Sequence, residues 1–207
     1  LSIRALAVSD LKEAGYDAVL AMIATIADES RSAEHPRIRH ALYQMGEIVI
    51  DPLIGTLQSG DPKLEAQAIE VLGLLETSRA TPYLIRPLHS KRSPEALRLA
   101  AAKALDRIVR AVPGESDAQR YLRKRVAELY NGDLPQEGRA DGTIELWIWH
   151  PTKKVLVPIV YDSADAALVV AAQLAGDLHE LWPENKEYRR AYLMALLEST
   201  KLLAGLD

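Results

Sequence analysis

HALYQMGE (40–47), QAIEVLGL (67–74) and AAKALDRI (101–108) are three variants of one helical segment. Leu42, Ile69 and Ala102 correspond, as do Met45, Leu72 and Leu105, at offsets of 27 and 33 residues. Gly46 and Gly73 are answered by Asp106. A second motif follows the first two copies: PLIGTLQS (52–59) and PYLIRPLHS (82–90). There Leu53, Ile54, Leu57 and Ser59 match Leu84, Ile85, Leu88 and Ser90 at an offset of 31. A period of this size, each holding two helical patterns, predicts stacked helix pairs. One such pair cannot bury its apolar face alone, so neighbours must stack into an α-solenoid.

The punctuation around these motifs agrees. Gly15 is a stop for a first short helix, and Val19, Leu20, Ile23 and Ile26 recur at helical spacing after Asp17. Glu34-His35-Pro36, Asp61-Pro62 and Ser93-Pro94 read as helix starts. In the last two, Asp or Ser caps the helix and Pro takes the first position, where its missing N–H costs nothing. Small residues such as Ala41, Ala68, Ala101 and Ala104 let helices approach closely while Leu and Ile fill the layers between them. Pro113-Gly114 closes the third repeat helix, and Ser116 or Asp117 is the expected cap of the next, to about Tyr130.

The pattern then changes. NGDLPQEGRADG (131–142) is turn-rich and reads as a linker or long loop. TIELWIWH (143–150) alternates, and KVLVPIVYD (154–162) is apolar and β-branched, so the pair predicts a β-hairpin. Pro158 lacks a donor and assigns its strand to an edge. Two strands are marginal in water, so the hairpin needs a further partner. Ser163 to about Leu181 and Lys186 to Leu203 read as two helices around the turn Trp182-Pro183-Glu184-Asn185. The predicted fold is mainly α: a right-handed solenoid of three to four helix pairs over 1–130, a linker over 131–142, and a β-hairpin with a helical hairpin over 143–207.

Composition narrows the chemistry. The chain is 48% hydrophobic and 26% charged, which is globular rather than disordered. It contains no Cys, which removes disulfides, thiolate nucleophiles and Cys-bound zinc together. The longest apolar stretch, AALVVAAQLAG (166–176), is broken by Gln173, so no membrane span is expected. The chain opens on Leu1 without a leader, which suggests a piece of a longer protein, and a cytoplasmic location is the expectation. Charge is uneven: residues 86–125 carry eleven Lys/Arg against four Asp/Glu, a net of +7 in a chain of net −4. The remainder is therefore at −11. Asymmetry of this kind marks a surface for an acidic partner.

Residues 36–110 resemble HEAT-like repeats of the short, phycobilisome-lyase type. The likeness is carried by Ala68-Ile69-x-x-Leu72-Gly73 followed by Ala80-x-Pro82-x-Leu84-Ile85-x-x-Leu88, with a shorter copy over 41–59. The stretch 168–197 is similar to the joint between two tetratricopeptide units, through Ala171, Ala175, Leu178, Pro183-Glu184-Asn185 and Tyr188. Both resemblances imply an interaction scaffold with no cofactor and a protein partner, whose identity and stoichiometry they do not specify. The solenoid's inner surface, formed by second helices such as 50–59 and 82–90, is where such proteins bind. Arg86, His89, Lys91 and Arg92 then supply charge from its loop edge.

Two other functions compete with this one. Lys103, Arg107 and Arg110 share one stripe of a helix, and Arg120, Arg123 and Lys124 make a second row. HEAT-like DNA glycosylases hold DNA on a basic concave surface, and nucleic-acid binding through 98–125 is the alternative reading. A solvated face with local ion pairs accounts for the same rows, and the pI near 5.8 favours it. Trp147 and Trp149 anchor a partner if exposed and seal the hairpin if buried; burial is the expectation. For enzymatic chemistry, the five histidines, His35, His40, His89, His150 and His179, lack metal-ligand spacing. HEAT-type deoxyhypusine hydroxylases hold iron with several His-Glu pairs; His179-Glu180 is one pair, outside the repeats. No catalytic residue, metal ligand or nucleophile motif is assigned.

Overall fold

The computed structural model describes residues 3–134 and 141–204. The chain is 74% helical, far above the usual third, as stacked helix pairs require. Helix α1 (Ile3–Ala27) breaks at Gly15, whose φ of 59° and ψ of −131° leave the helical region. Then come α2 (His35–Met45), α3 (Ile50–Thr56), α4 (Pro62–Leu74), α5 (Thr81–His89), α6 (Glu95–Val109) and α7 (Glu115–Tyr130). Strands β1 (Thr143–His150) and β2 (Val155–Asp162) precede α8 (Ser163–Leu181) and α9 (Lys186–Ala204). Short 3-10 turns at Glu29–Glu34, Gly46–Val49 and Ser78–Ala80 join the helices. Part of the expected linker, 135–140, lies outside the described residues.

The starts of α4 and α9 follow the local chemistry. Asp61 accepts from the Lys63 and Leu64 N–H groups at 2.9 and 3.3 Å, and Pro62 opens α4. Asn185 does the same for Glu187 and Tyr188 at the start of α9. Two expected caps differ. Helix α6 starts one residue late, with Pro94 rather than Ser93 at its N-cap, because Pro94 stays extended at ψ 156°. Helix α7 starts at Glu115 with Gly114 as N-cap, ahead of Ser116 and Asp117, so no side chain caps it.

First helices α2, α4 and α6 pack side by side as one row. Second helices α3 and α5 each turn back to pack on the next first helix, α4 and α6, and α7 lies against α5. The repeated leucines are the core: Leu42, Leu72, Leu84 and Leu105 are fully buried. Each contributes roughly 1.5–3 kcal/mol of apolar transfer. Gly73 explains the closest approach, between α4 and α6. A Cβ there would lie 2.8 Å from the Ala104 Cβ.

The hairpin is antiparallel, with Trp147 opposite Pro158 and Ile144 opposite Tyr161. It does not stand apart from the repeats. β1 lies on α3, and Trp147 and Leu156 join the solenoid core at 6% exposure each. The Tyr16 ring tilts against Trp147 at 4.8 Å. Helix α8 touches both strands and crosses onto α5 and α7, while α9 packs on α8. The apolar demand of a two-stranded sheet is thus met by the second-helix row.

Candidate interaction surface

The second-helix row, where binding was expected, carries the chain's own C-terminal layer. Its polar link is built on Arg86 of α5. The guanidinium donates to the Leu57 carbonyl at 2.9 Å and lies 3.3 Å from Asp177 of α8 and 3.5 Å from Glu65 of α4. Glu65 is 3% exposed and also accepts from the Gly60 N–H at 3.0 Å. Beside it, the Ser90 hydroxyl donates to Glu180 of α8 at 3.0 Å. Arg86 is therefore an internal counter-charge and not a loop-edge residue, because α8 brings a carboxylate to it.

Two carboxylates share this one guanidinium. Burial pushes the Asp177 carboxyl up to about 7; Arg86 opposes the rise, and Glu180 and Glu65 add to it. Burial raises Glu65 as well, against the pull of Arg86.

The remaining candidate residues fall into separate environments. His89 is half-buried, and its Nε2 donates to the Pro113 carbonyl at 3.2 Å. Lys91 and Arg92 are exposed beyond the end of α5. Trp147 is buried, and Trp149 is half-buried against the same core. The basic rows divide between helices. Lys103 and Arg107 are on α6 of the first-helix row and Arg110 is its left-handed C-cap, whereas Arg120, Arg123 and Lys124 are on α7 of the other. Arg110 pairs with Glu76 at 3.0 Å, Arg120 with Asp117 at 3.3 Å, and Lys124 with Glu128 at 3.5 Å. Lys103, Arg107 and Arg123 are exposed and make no ion pair among the described residues.

Lys103 and Arg107 border a groove of 560 Å³ across the first-helix row. α2 contributes Pro36, Arg39 and His40, α4 contributes Glu70 and Leu74, and α6 supplies Ala96, Leu99, Ala100 and Ala104. Arg39 is 3.0 Å from Glu70, so the groove's one carboxylate is already paired. Leu74 and Leu99 are 42% and 52% exposed. Sequence reasoning found Lys103 and Arg107 and passed over these leucines. Their signal was phase: each lies two residues from a buried leucine, Leu72 and Leu97, and hence on another side of its helix.

The histidines are dispersed. His35 donates from Nε2 to the Asp28 carbonyl at 3.1 Å, His40 lies by Tyr43, and His179 stacks on Tyr192 at 5.8 Å. Among the described residues no three His, Asp or Glu side chains form a metal-ligand set. A cavity of 200 Å³ between α3, α5, β1 and α8 is mainly apolar and holds the Asp51–Arg79 ion pair beside Tyr83. Burial raises the Tyr83 hydroxyl far above its ordinary value, so it is a neutral phenol. Among the described residues no helix is long and apolar enough to cross a membrane.

Helix pairs stacked in two rows, joined by short turns and built on repeated leucines, define a helical repeat protein of HEAT-like architecture. The family model of HEAT repeats matches residues 50–132, the stretch from α3 through α7. No curated protein and no solved structure matches the chain.

Proposed function

We propose that this chain is a non-enzymatic protein-interaction module. The observation that carries the reading is the groove across α2, α4 and α6, where exposed leucines meet cations that have no ion-pair partner among the described residues. HEAT repeats commonly mediate protein–protein interactions, which supports it. The short, phycobilisome-lyase-type repeat and the tetratricopeptide-like pairing of α8 with α9 are finer readings in the same direction. Residues 1–130 then form the repeat unit, and 143–207 act as its covering layer rather than a separate binding unit.

The alternative is binding of a phosphate backbone through 98–125. Lys103, Arg107 and Arg123, exposed and without an ion-pair partner among the described residues, favour it. Division of the rows between α6 and α7, and local ion pairs on Arg110, Arg120 and Lys124, weigh against it. Affinity capture with the purified chain, at low and high salt and with nuclease, separates the two. A protein partner that survives both treatments is expected. Recovery of nucleic acid alone, lost at high salt, would sink the module reading.

A further inference from the structure

We infer that the groove between α2, α4 and α6 binds an acidic, leucine-bearing peptide segment of a partner protein. The inference rests on the interaction-module reading and gives it a surface and a ligand class.

The floor and the rim ask for different chemistry. Leu74 and Leu99 remain 42% and 52% exposed, and small Ala100 and Ala104 between them keep the floor low. A ligand that only neutralises charge leaves those leucines in water, whereas an apolar side chain seated on them removes both surfaces from solvent. On the rim, Lys103 and Arg107 are one helical turn apart on α6, so they meet carboxylates spaced by one turn or by two residues of extended chain. With Glu70 bound to Arg39, the groove presents no unpaired carboxylate and is net positive.

Nucleic acid fits this surface poorly. No Phe, Tyr or Trp side chain lines the groove to stack a base; its one aromatic ring is the His40 imidazole, which lies by Tyr43, and the leucines add nothing to a phosphate contact. The groove's 560 Å³ accommodates a few side chains, not a folded domain. An acidic amphipathic segment satisfies floor and rim together.

The test uses a fluorescent amphipathic peptide with leucines at helical spacing and glutamates between them. Its comparators are the same peptide with glutamine for glutamate and a single-stranded DNA of equal charge. Anisotropy gives affinity, and backbone amide NMR shifts locate binding. The glutamate peptide should bind best, with shifts confined to α2, α4 and α6. The double variant K103E/R107E and the single variant Leu99→Ser should each lower its affinity about tenfold or more. Both sites are exposed, so circular dichroism and thermal melting should match the unsubstituted chain. Tighter DNA binding lost in K103E/R107E but kept in Leu99→Ser would replace the peptide with nucleic acid. Shifts elsewhere, no peptide binding, or binding unchanged by both variants would overturn the site. A protein partner captured equally by K103E/R107E would overturn the groove while leaving the interaction-module reading intact.

Discussion

Gly55 and Trp147 meet backbone to backbone: a Cβ on Gly55 would lie 2.2 Å from the Trp147 carbonyl oxygen and 2.9 Å from its carbonyl carbon. α3 and β1 approach this closely because α3 has no side chain at the crossing. Leu156 closes the contact from β2, its Cδ2 3.0 Å from the same point. The hairpin's docking therefore depends on one missing methyl group in the second-helix motif.

Gly55→Ala should destabilise the protein by about 1–3 kcal/mol, the usual range for overpacking against atoms that cannot turn aside. Alanine is the better helix former by about 1 kcal/mol, so a purely local effect would have the opposite sign. Denaturant unfolding followed by tryptophan fluorescence checks it. An unchanged or raised midpoint would contradict the contact.

The raised Asp177 carboxyl makes stability depend on pH. Such a group holds its proton more tightly folded than unfolded. Its cost is absent below the unfolded value of 3.8, grows with pH, and is complete above about 7. Stability should therefore fall as pH rises across that window, by up to about 1.4 kcal/mol per pH unit from this residue. Glu65 acts in the same direction. The facing groups are Arg86 and Tyr83 on α5, Glu65 on α4 and Glu180 on α8. Asp177→Asn should flatten the slope in melts taken between about pH 5 and about pH 8. A slope equal to that of the unsubstituted chain would remove Asp177 as its source.

Arg86→Met should be costly, on the order of 3–5 kcal/mol at alkaline pH, because it leaves Glu65 and Asp177 buried without their counter-charge. The loss should shrink in acid, where the carboxyls take up protons. It should also be partly restored in R86M/D177N. Urea titrations of both variants at two pH values measure this, and equal losses at both would argue for packing alone.

Gly114 leaves α7 without a side-chain cap, and a Cβ there would meet nothing within 4 Å. Gly114→Ser should add a cap hydrogen bond to the second or third N–H of the helix and stabilise by a few tenths of a kcal/mol. Differential scanning calorimetry would detect the rise in Tm, and a fall would mean that α7 starts elsewhere.

Much of this architecture was legible along the chain. Asp61-Pro62 announced α4, and Asn185 closed the turn into α9. Alternation over 143–150 identified β1, where paired helical motifs had already identified the stack. Caps without a distinctive signal were misread. Ser93 precedes a proline that stays extended, and Ser116 lies one residue inside a helix that starts at Glu115, with Gly114 as its N-cap.

Local pattern determined where the helices lie, that they pair and stack, and where positive charge collects along the chain, because those follow from spacing and repetition in the sequence. What buries each face was decided only in three dimensions. The apolar faces of α3 and α5 suit a partner or the chain's own hairpin and α8 equally well. The choice rests on contacts such as Ser90 with Glu180, 90 residues apart. Arg86 looks like any exposed cation until α8 brings Asp177 to it. Leu74 and Leu99 look like core until the rows assemble and leave them facing water. Burial is a property of pairs of surfaces, and a sequence carries only one member of each pair at a time.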